Sequence, residues 1–568
     1  MKILSLHCDH IKFKPLKKAL KKINELSAEE KKEKKIKDAL VIMTAVEKSD
    51  TDIKSVVEKL MENIKEIAKQ VNAKNIVLYP YAHLSSNLSS PEIAVNVLEE
   101  AEKKLKKDFR VAKAPFGYYK EFELKVKGHP LSELSREIKA NETEENYNPK
   151  QLLKEISKSK LDTSQLKEND HRILGQQMDL FSFNETAPGM VFWHNNGLII
   201  RNELIKFWRE VHKNAGYQEI STPQILDSKL WKISGHWKLY KKNMFLTNYE
   251  KRNFAIKPMN CPGGMLVYKN KSKSYKELPL RIGELGIVHR QELSGVLGGL
   301  FRVIQFTQDD AHIFCTEKQL EKEIIGVINL IKIMLNKFKF SYRFTLSTRS
   351  KEKKEKYLGD DALWNKTEGT IKKALKKLKI KFIETAGEAK FYGPSLDVQI
   401  KDSLGREWQC STIQLDAQLP ERFELEYTDK NNKRKRPIML HRVIYGSLER
   451  FIGILIEHTK GRLPTWLAPI QVRVLSFTNR SDSYTKKISE QLKKEIPNLR
   501  IEQDLNQTTI SSKVKEAELM KVPYIVVVGD KEEKEKNLAV RIKGNKKIEK
   551  FSVEEFAEKL KKEIEKKG

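Results

Sequence analysis

The sequence predicts a multidomain protein of mixed α/β and α+β architecture, and three observations point to it. The chain has 568 residues, too many for one hydrophobic core, so three or more domains are the default. Both ends alternate short apolar runs with segments of helical period, the signature of α/β units. Between them lies a longer region in which two strand-like runs, 280–288 and 300–306, are joined by a glycine-rich SGVLGG turn.

Composition narrows the class. Charged residues make up 33% of the chain and the formal net charge is +31. Such a surplus suits a polyanion or an acidic membrane as partner; the lysines are scattered throughout, so a lysine-rich composition explains it equally. No apolar run reaches the roughly 18 residues of a membrane span. The start, MKILSLHCDH, is too short and polar for a secretory signal. Cys8, Cys261, Cys315 and Cys410 lie far apart with no CxxC, which argues against a disulfide framework. The expected compartment is the cytoplasm.

Residues 1–140 read as a compact α/β unit. MKILSL, DALVIMTAV, NIVLYP, FRVAKAP and YYKEFELKV are strands. The segments 52–71, with an apolar stripe at Val56, Leu60, Ile64 and Ile67, and 91–105 are helices. YPYAHLSS and APFGYYKEF place polar groups at strand ends and turns. Taken alone, His83 there reads as a satisfied loop histidine and Lys120 as surface.

Residues 141–199 begin as a charged connector poor in large apolar residues and end in the words APGM and FWHNNG. From 200 to 468, a helical period over 201–215 gives way to the extended GYQEISTPQIL. Cys261 follows in the turn KPMNCPGG. Arg290 and Arg302 stand at the two ends of the glycine hairpin, where guanidinium forks match phosphate oxygens; an ordinary basic hairpin has the same pattern. Asp309, Asp310 and His312 come next, then the adjacent strands KFYGPSLDV and EWQCSTIQLD, and His441 within PIMLHRVIYGSLERF. One cysteine and two distant histidines are by themselves a weak metal signal. Residues 469–568 alternate strands and helices, which suggests a small, mostly parallel sheet.

Taken in order, these words resemble the class II aminoacyl-tRNA synthetases, and the threonyl family in its archaeal form. The hairpin resembles motif 2, TQDDAHIF its threonyl version, and PIMLHRVIYGSLERF motif 3. The stretch 201–226 resembles motif 1, which in the family builds a dimer interface. The resemblance implies a class II antiparallel-sheet catalytic core, an N-terminal deacylase-like editing domain on 1–140 and a C-terminal α/β anticodon-binding domain on 469–568. A homodimer is implied, with tRNA(Thr), ATP and L-threonine as partners and no membrane.

Residue by residue, the resemblance implies zinc on Cys261, His312 and His441, an open three-ligand pattern. Threonine would meet Met259, Gln308, Asp310, Tyr392, Thr412 and Gln414. Arg290 would hold the α-phosphate, Glu292 the adenine amino group and Arg302 the outer phosphates, with Mg²⁺ accompanying ATP. Phe306 and Arg450 would sandwich the base, and Gln409 would complete the nucleotide wall. His236, in SGHW, falls on a histidine near the terminal ribose. His83, Tyr119, Lys120 and Glu133 fall on the editing positions, and Gln507, Glu532 and Arg541 on anticodon-reading ones. The chain lacks the H-x-x-x-H of bacterial editing domains, and Ser395 stands where the family word FYGPK has lysine. A catalytically dead RNA-binding relative is the alternative from another class; the seryl and prolyl specificities lack this Cys/His/His set together with such an editing domain.

Overall fold

The computed structural model describes residues 1–20, 23–138, 149–156, 164, 166–350, 352, 354–357, 359–390, 392–545 and 547–568. Residues 141–148, 157–163 and 165 of the connector expected within 141–199 therefore lie outside the described residues. The chain divides into two units, Met1–Leu152 and Leu153–Gly568.

The first unit is a six-stranded sheet with two helices on one face. The strands run Arg110–Lys113, Asn75–Pro80, Lys34–Ala45, Lys2–Lys18 and Tyr118–Val126, with Glu133–Glu137 also paired to Lys2–Lys18. That first strand has 17 residues, far longer than MKILSL suggests, because it serves two neighbours in succession. Its residues 2–6 pair with Glu133–Glu137 and its residues 8–18 with Tyr118–Val126. The helices Ile53–Gln70 and Pro91–Leu105 are capped by Asp52 and Ser90, whose side chains accept from Ser55 and Ile93 N–H. The expected stripe Val56, Leu60, Ile64 and Ile67 is buried against Ile3, Leu40, Ile42, Ile76 and Leu78.

The second unit is built on an eight-stranded sheet. Its order is Phe382–Ala386, Ser341–Thr348, Ser395–Lys401, Glu407–Asp416, Ile438–Val443, Gln305–Cys315, Leu280–His289 and Gln218–Glu219. All pairs are antiparallel except the outermost at each edge. The helices Asn195–Asn214, Leu320–Lys337 and Leu448–Thr459 fill one face with a single large apolar cluster. The second hairpin strand begins at Gln305, not at residue 300. Leu300 is fully buried and Gly299 has φ +54°, so the apolar run LFRVI turns to seat a side chain before it can pair.

At the C-terminus a five-stranded sheet runs Ile501–Asp504, Val472–Ser476, Tyr524–Val528, Leu538–Ile542 and Ile548–Phe551. The first three are parallel, as the alternation predicts. The last two add an antiparallel hairpin, so the sheet is mixed. LAVRI and IEKF are only five and four residues long, too short to show a period.

Candidate active site and metal centre

Side chains on a strand alternate between faces, and this arithmetic builds the site. On Gln305–Cys315, the residues Phe306, Gln308, Asp310 and His312 share the face away from the helices. Asp309, Ala311 and Ile313 point into the core, each 0% exposed. Register then brings His441 opposite His312 and Gln414 opposite His441. Thr412, Asp416, Ser395 and Asp397 follow on the same face.

Above this face lies the helix Cys261–Lys269, with Cys261 at its first position. A ligand atom from each of Cys261, His312 and His441 lies within 4.8 Å of the others, close enough to share one small cation. Two observations test that fit. His312 Nε2 is buried with no hydrogen-bond partner, and burial holds the ring well below its ordinary pKa, hence neutral. His441 Nε2 lies 2.8 Å from an Asp416 oxygen, leaving Nδ1 for the cluster. Burial, then Asp310 and Asp416, push the Cys261 thiol well up; a cation is what would draw it to thiolate. The donors fit zinc: one sulfur, two imidazoles and a carboxylate behind one of them.

Beneath the metal turn, Lys257 and Glu284 form a fully buried ion pair, 2.9 Å apart. Lys257 also donates to the Thr222 hydroxyl at 3.0 Å, and Glu284 accepts the Thr222 N–H at 2.8 Å. Gly286 is required here, because a Cβ would lie 2.1 Å from Asn260 Oδ1. The Asn260 amide in turn lies 3.5 Å from an Asp310 oxygen. Burial raises the Asp310 carboxyl to about 6.

Among the residues expected to meet ATP, Arg290 is braced by the Pro258 carbonyl at 3.1 Å and lies 5.0 Å from the centre of the Phe306 ring. Arg302 is paired with Glu292 at 2.8 Å, so the structure couples two residues assigned to different parts of ATP. Arg450 is over Trp408 at 5.6 Å, and its Nε has no partner. Its helix starts where Asp309, raised to about 7 by burial, accepts the N–H groups of Ile444, Tyr445 and Gly446 at 2.9–3.0 Å.

Sequence reasoning missed Trp408, Asp416 and Asp397. Asp397 accepts from Gln409 at 2.6 Å, Thr412 at 2.7 Å, Ser395 at 3.0 Å and Ser347 at 3.3 Å. Three hydroxyls and an amide thus meet this carboxylate where the resemblance leads one to look for lysine at 395. Tyr392 donates to Gln414 at 3.2 Å. The ring nitrogen Nδ1 of His236 lies 2.8 Å from Ser234 Oγ, and that hydroxyl donates to the Trp231 carbonyl. Burial lowers His236 to about 4. Met259 packs against the apolar cluster that includes Cys261.

In the first unit, aromatic contacts link Lys120 to Tyr79 at 5.1 Å, Tyr79 to Tyr81 at 6.3 Å and Tyr81 to His83 at 5.3 Å. Lys120 Nζ donates to the Pro115 and Tyr118 carbonyls, and burial lowers it to about 8. The other two candidates are not brought to this place. Tyr119 is 65% exposed and alternates to the opposite sheet face. Glu133 pairs with Leu6 whereas Lys120 pairs with Pro15, about 30 Å apart along the strand. In the C-terminal sheet, Glu532 and Arg541 line one groove of about 680 Å³. Gln507 is exposed and is not among the groove's lining residues.

Comparison with known proteins agrees with this layout. Family profiles match at residues 1–138, "Archaea-specific editing domain of threonyl-tRNA synthetase"; at 243–459, "tRNA synthetase class II core domain (G, H, P, S and T)"; and at 471–563, "Anticodon binding domain". A threonyl-tRNA synthetase structure from Cryptosporidium parvum, described as its RNA-binding domain, is 36% identical, with a TM-score of 0.65 over 69% of this chain and 98% of that one. The chain belongs to the threonyl-tRNA synthetase family.

A second solved relative, a putative threonyl-tRNA synthetase from Aeropyrum pernix, is 31% identical, with a TM-score of 0.63 over 70% of this chain and 97% of its own. The threonine–tRNA ligase of Caldanaerobacter subterraneus is 51% identical over 398 residues, 70% of this chain. The chain spans 61% of that relative's length. As a family member it has the class II antiparallel core, preceded by an editing domain and followed by an anticodon-binding domain. Among the described residues, no helix is long and apolar enough to cross a membrane.

Proposed function

We propose that the chain is an ATP-dependent ligase that activates L-threonine as its adenylate and transfers it to tRNA(Thr), with hydrolysis of mischarged seryl-tRNA by its first domain. The observation that supports this most is the Cys261, His312 and His441 donor set beside Asp310 on the open sheet face. Bound there, zinc would supply a Lewis-acid site for the amine and the hydroxyl of threonine. Valine has nearly the same volume, and an apolar pocket would reject it only about 10²-fold, whereas a site built around the hydroxyl reaches roughly 10⁴–10⁵. Asp310 accepts the hydroxyl's hydrogen bond. Tyr392, Thr412, Gln414, Gln308 and Met259 wall the amino acid.

Arg290 holds the α-phosphate as the threonine carboxylate attacks it. Arg302 takes the outer phosphates once ATP draws it from Glu292, and Phe306, Arg450, Gln409 and Glu292 hold the base. Mg²⁺ enters with the nucleotide. Positioning and charge neutralisation carry the rate, because no covalent enzyme intermediate is needed. In the transfer step, Nε2 of His236 is the acceptor facing the terminal ribose. Serine keeps the hydroxyl and lacks one methyl, worth about 1–3 kcal/mol, so proofreading is required, and Lys120 with backbone amides steadies the developing oxyanion.

The division of labour follows: 1–140 edits, 141–199 leads in, 200–468 ligates and 469–568 reads the anticodon through Glu532, Arg541 and Gln507. Two copies assemble through the 201–226 stretch, in the cytoplasm. Threonine-dependent ATP–pyrophosphate exchange, coupled to metal analysis, tests the ligase. Exchange with threonine and not valine is expected. No exchange from metal-replete protein would make the chain an RNA-binding relative without catalysis.

A further inference from the structure

Asp170, His171 and Glu457 form a second buried cluster, outside every residue assigned above. His171 is 1% exposed. Its Nδ1 lies 2.7 Å from Glu457 Oε1, which also accepts the His171 backbone N–H at 3.0 Å. Its Nε2 accepts the backbone N–H of Leu300 at 2.9 Å. Those partners fix the tautomer: Nε2 is bare, and the Nδ1 proton goes to Glu457. Both ring nitrogens are spent, and Arg406 and Arg172 already neutralise the carboxylates of Glu457 and Asp170. The cluster is a brace and not a metal site.

What it braces is the nucleotide hairpin. Leu300 lies two residues before Arg302, and Glu457 is on the helix that carries Arg450. At Gly299 a Cβ would stand 2.2 Å from His171 Nε2, so the ring is seated against the hairpin backbone. The Phe301 ring centre is 4.2 Å from that of His171. Arg406, bound to Glu457, lies over both Phe301 and Trp408, and Trp408 meets Arg450. A second tie, from Ile304 N–H to the Gly189 carbonyl at 2.7 Å, joins the same lead-in segment to the same hairpin.

We propose that His171 is a positioning residue for ATP: it fastens the hairpin to the helix Leu448–Thr459, so that Arg302 and Arg450 meet the nucleotide together. The inference rests on reading this face as an ATP-using ligase. Removing the ring leaves the Leu300 N–H buried without an acceptor.

Three variants of the full chain test it. The amide of Asn overlays Nδ1 and can serve Glu457 alone; the amide of Gln overlays Nε2 and can serve Leu300 alone. In threonine-dependent exchange, His171→Ala and His171→Asn should raise the KM for ATP about tenfold, and His171→Gln should restore most of it. The KM for threonine should stay unchanged in all three. Deuterium uptake over 298–304 should rise in the Ala and Asn variants and stay low in Gln. A parallel rise in both KM values, or rescue by Asn instead of Gln, would overturn the proposal. If the unaltered chain shows no exchange, the ligase reading falls, while deuterium uptake still decides His171: unchanged uptake in His171→Ala overturns its role.

Discussion

His441 is oriented by Asp416: 2.8 Å separates its Nε2 from the carboxylate, so Nδ1 is the only ring nitrogen left to face Cys261 and His312. Carboxylates behind metal-bound histidines typically govern retention by about 10–100-fold. Asp416→Asn should therefore lose zinc to a chromogenic chelator at a concentration lower by about that factor, with its circular dichroism unchanged. Equal retention would show the carboxylate to be idle.

Cys261→Ser should remove metal content and threonine activation together. The thiol is buried at a helix start, so serine fits sterically and only the ligand chemistry changes. Metal-free protein that still activates threonine at the normal rate would refute the zinc assignment.

Lys120 gives a prediction with two signs. Its folded pKa of about 8 lies below the ordinary 10.5, so between those values the unfolded chain binds more protons and stability rises with pH. Below pH 8 the full cost of the buried charge is present. Lys120→Met should raise the melting temperature of the first unit at neutral pH and abolish deacylation of seryl-tRNA. In the unaltered protein, deacylation should fall as pH rises through about 8, because the ammonium loses its proton there. A chain lacking residues 1–140 should charge tRNA and accumulate the seryl product; if none accumulates, the editing assignment is wrong.

Ser234 sets the tautomer of His236. Its hydroxyl gives its proton to the Trp231 carbonyl and takes one from Nδ1, which leaves Nε2 as an acceptor. Ser234→Ala should slow transfer to tRNA roughly 10-fold, less than the roughly 10²–10⁴-fold that a positioned general base contributes, because the ring itself remains. Pyrophosphate exchange should be untouched, and Ser234→Thr should restore transfer. Equal losses in both half-reactions would mark the hydroxyl as structural.

The sequence made the local parts of this site legible. Phe306, Gln308, Asp310 and His312 sit two apart in one apolar strand, so period alone places them on one face. Helical stripes such as Val56, Leu60, Ile64 and Ile67 were equally readable. Trp408, Asp397 and Asp416 were not, because each acts through a neighbour on another strand or helix, and no spacing encodes which elements meet. His171 was hidden for a similar reason: its partners Leu300 and Glu457 are 129 and 286 residues away. The edge hairpin Leu538–Ile542 and Ile548–Phe551 escaped because its strands are only five and four residues long, too short to show a period. Tyr119 and Glu133 show the converse limit, since sequence words matched while the strands carried those side chains elsewhere.

Asp309 and Asp310 are neighbours in sequence that face opposite ways, one pinning the turn before Arg450 and the other on the face of the Cys261, His312 and His441 donors, where the proposed amino acid would sit. Adding or deleting a single residue within 305–315 would exchange them, exposing a core carboxylate to substrate and burying the substrate's acceptor among leucines. Tolerance to insertion should accordingly be lopsided: extra residues can accumulate at the tip, 293–296, while the span that follows admits none.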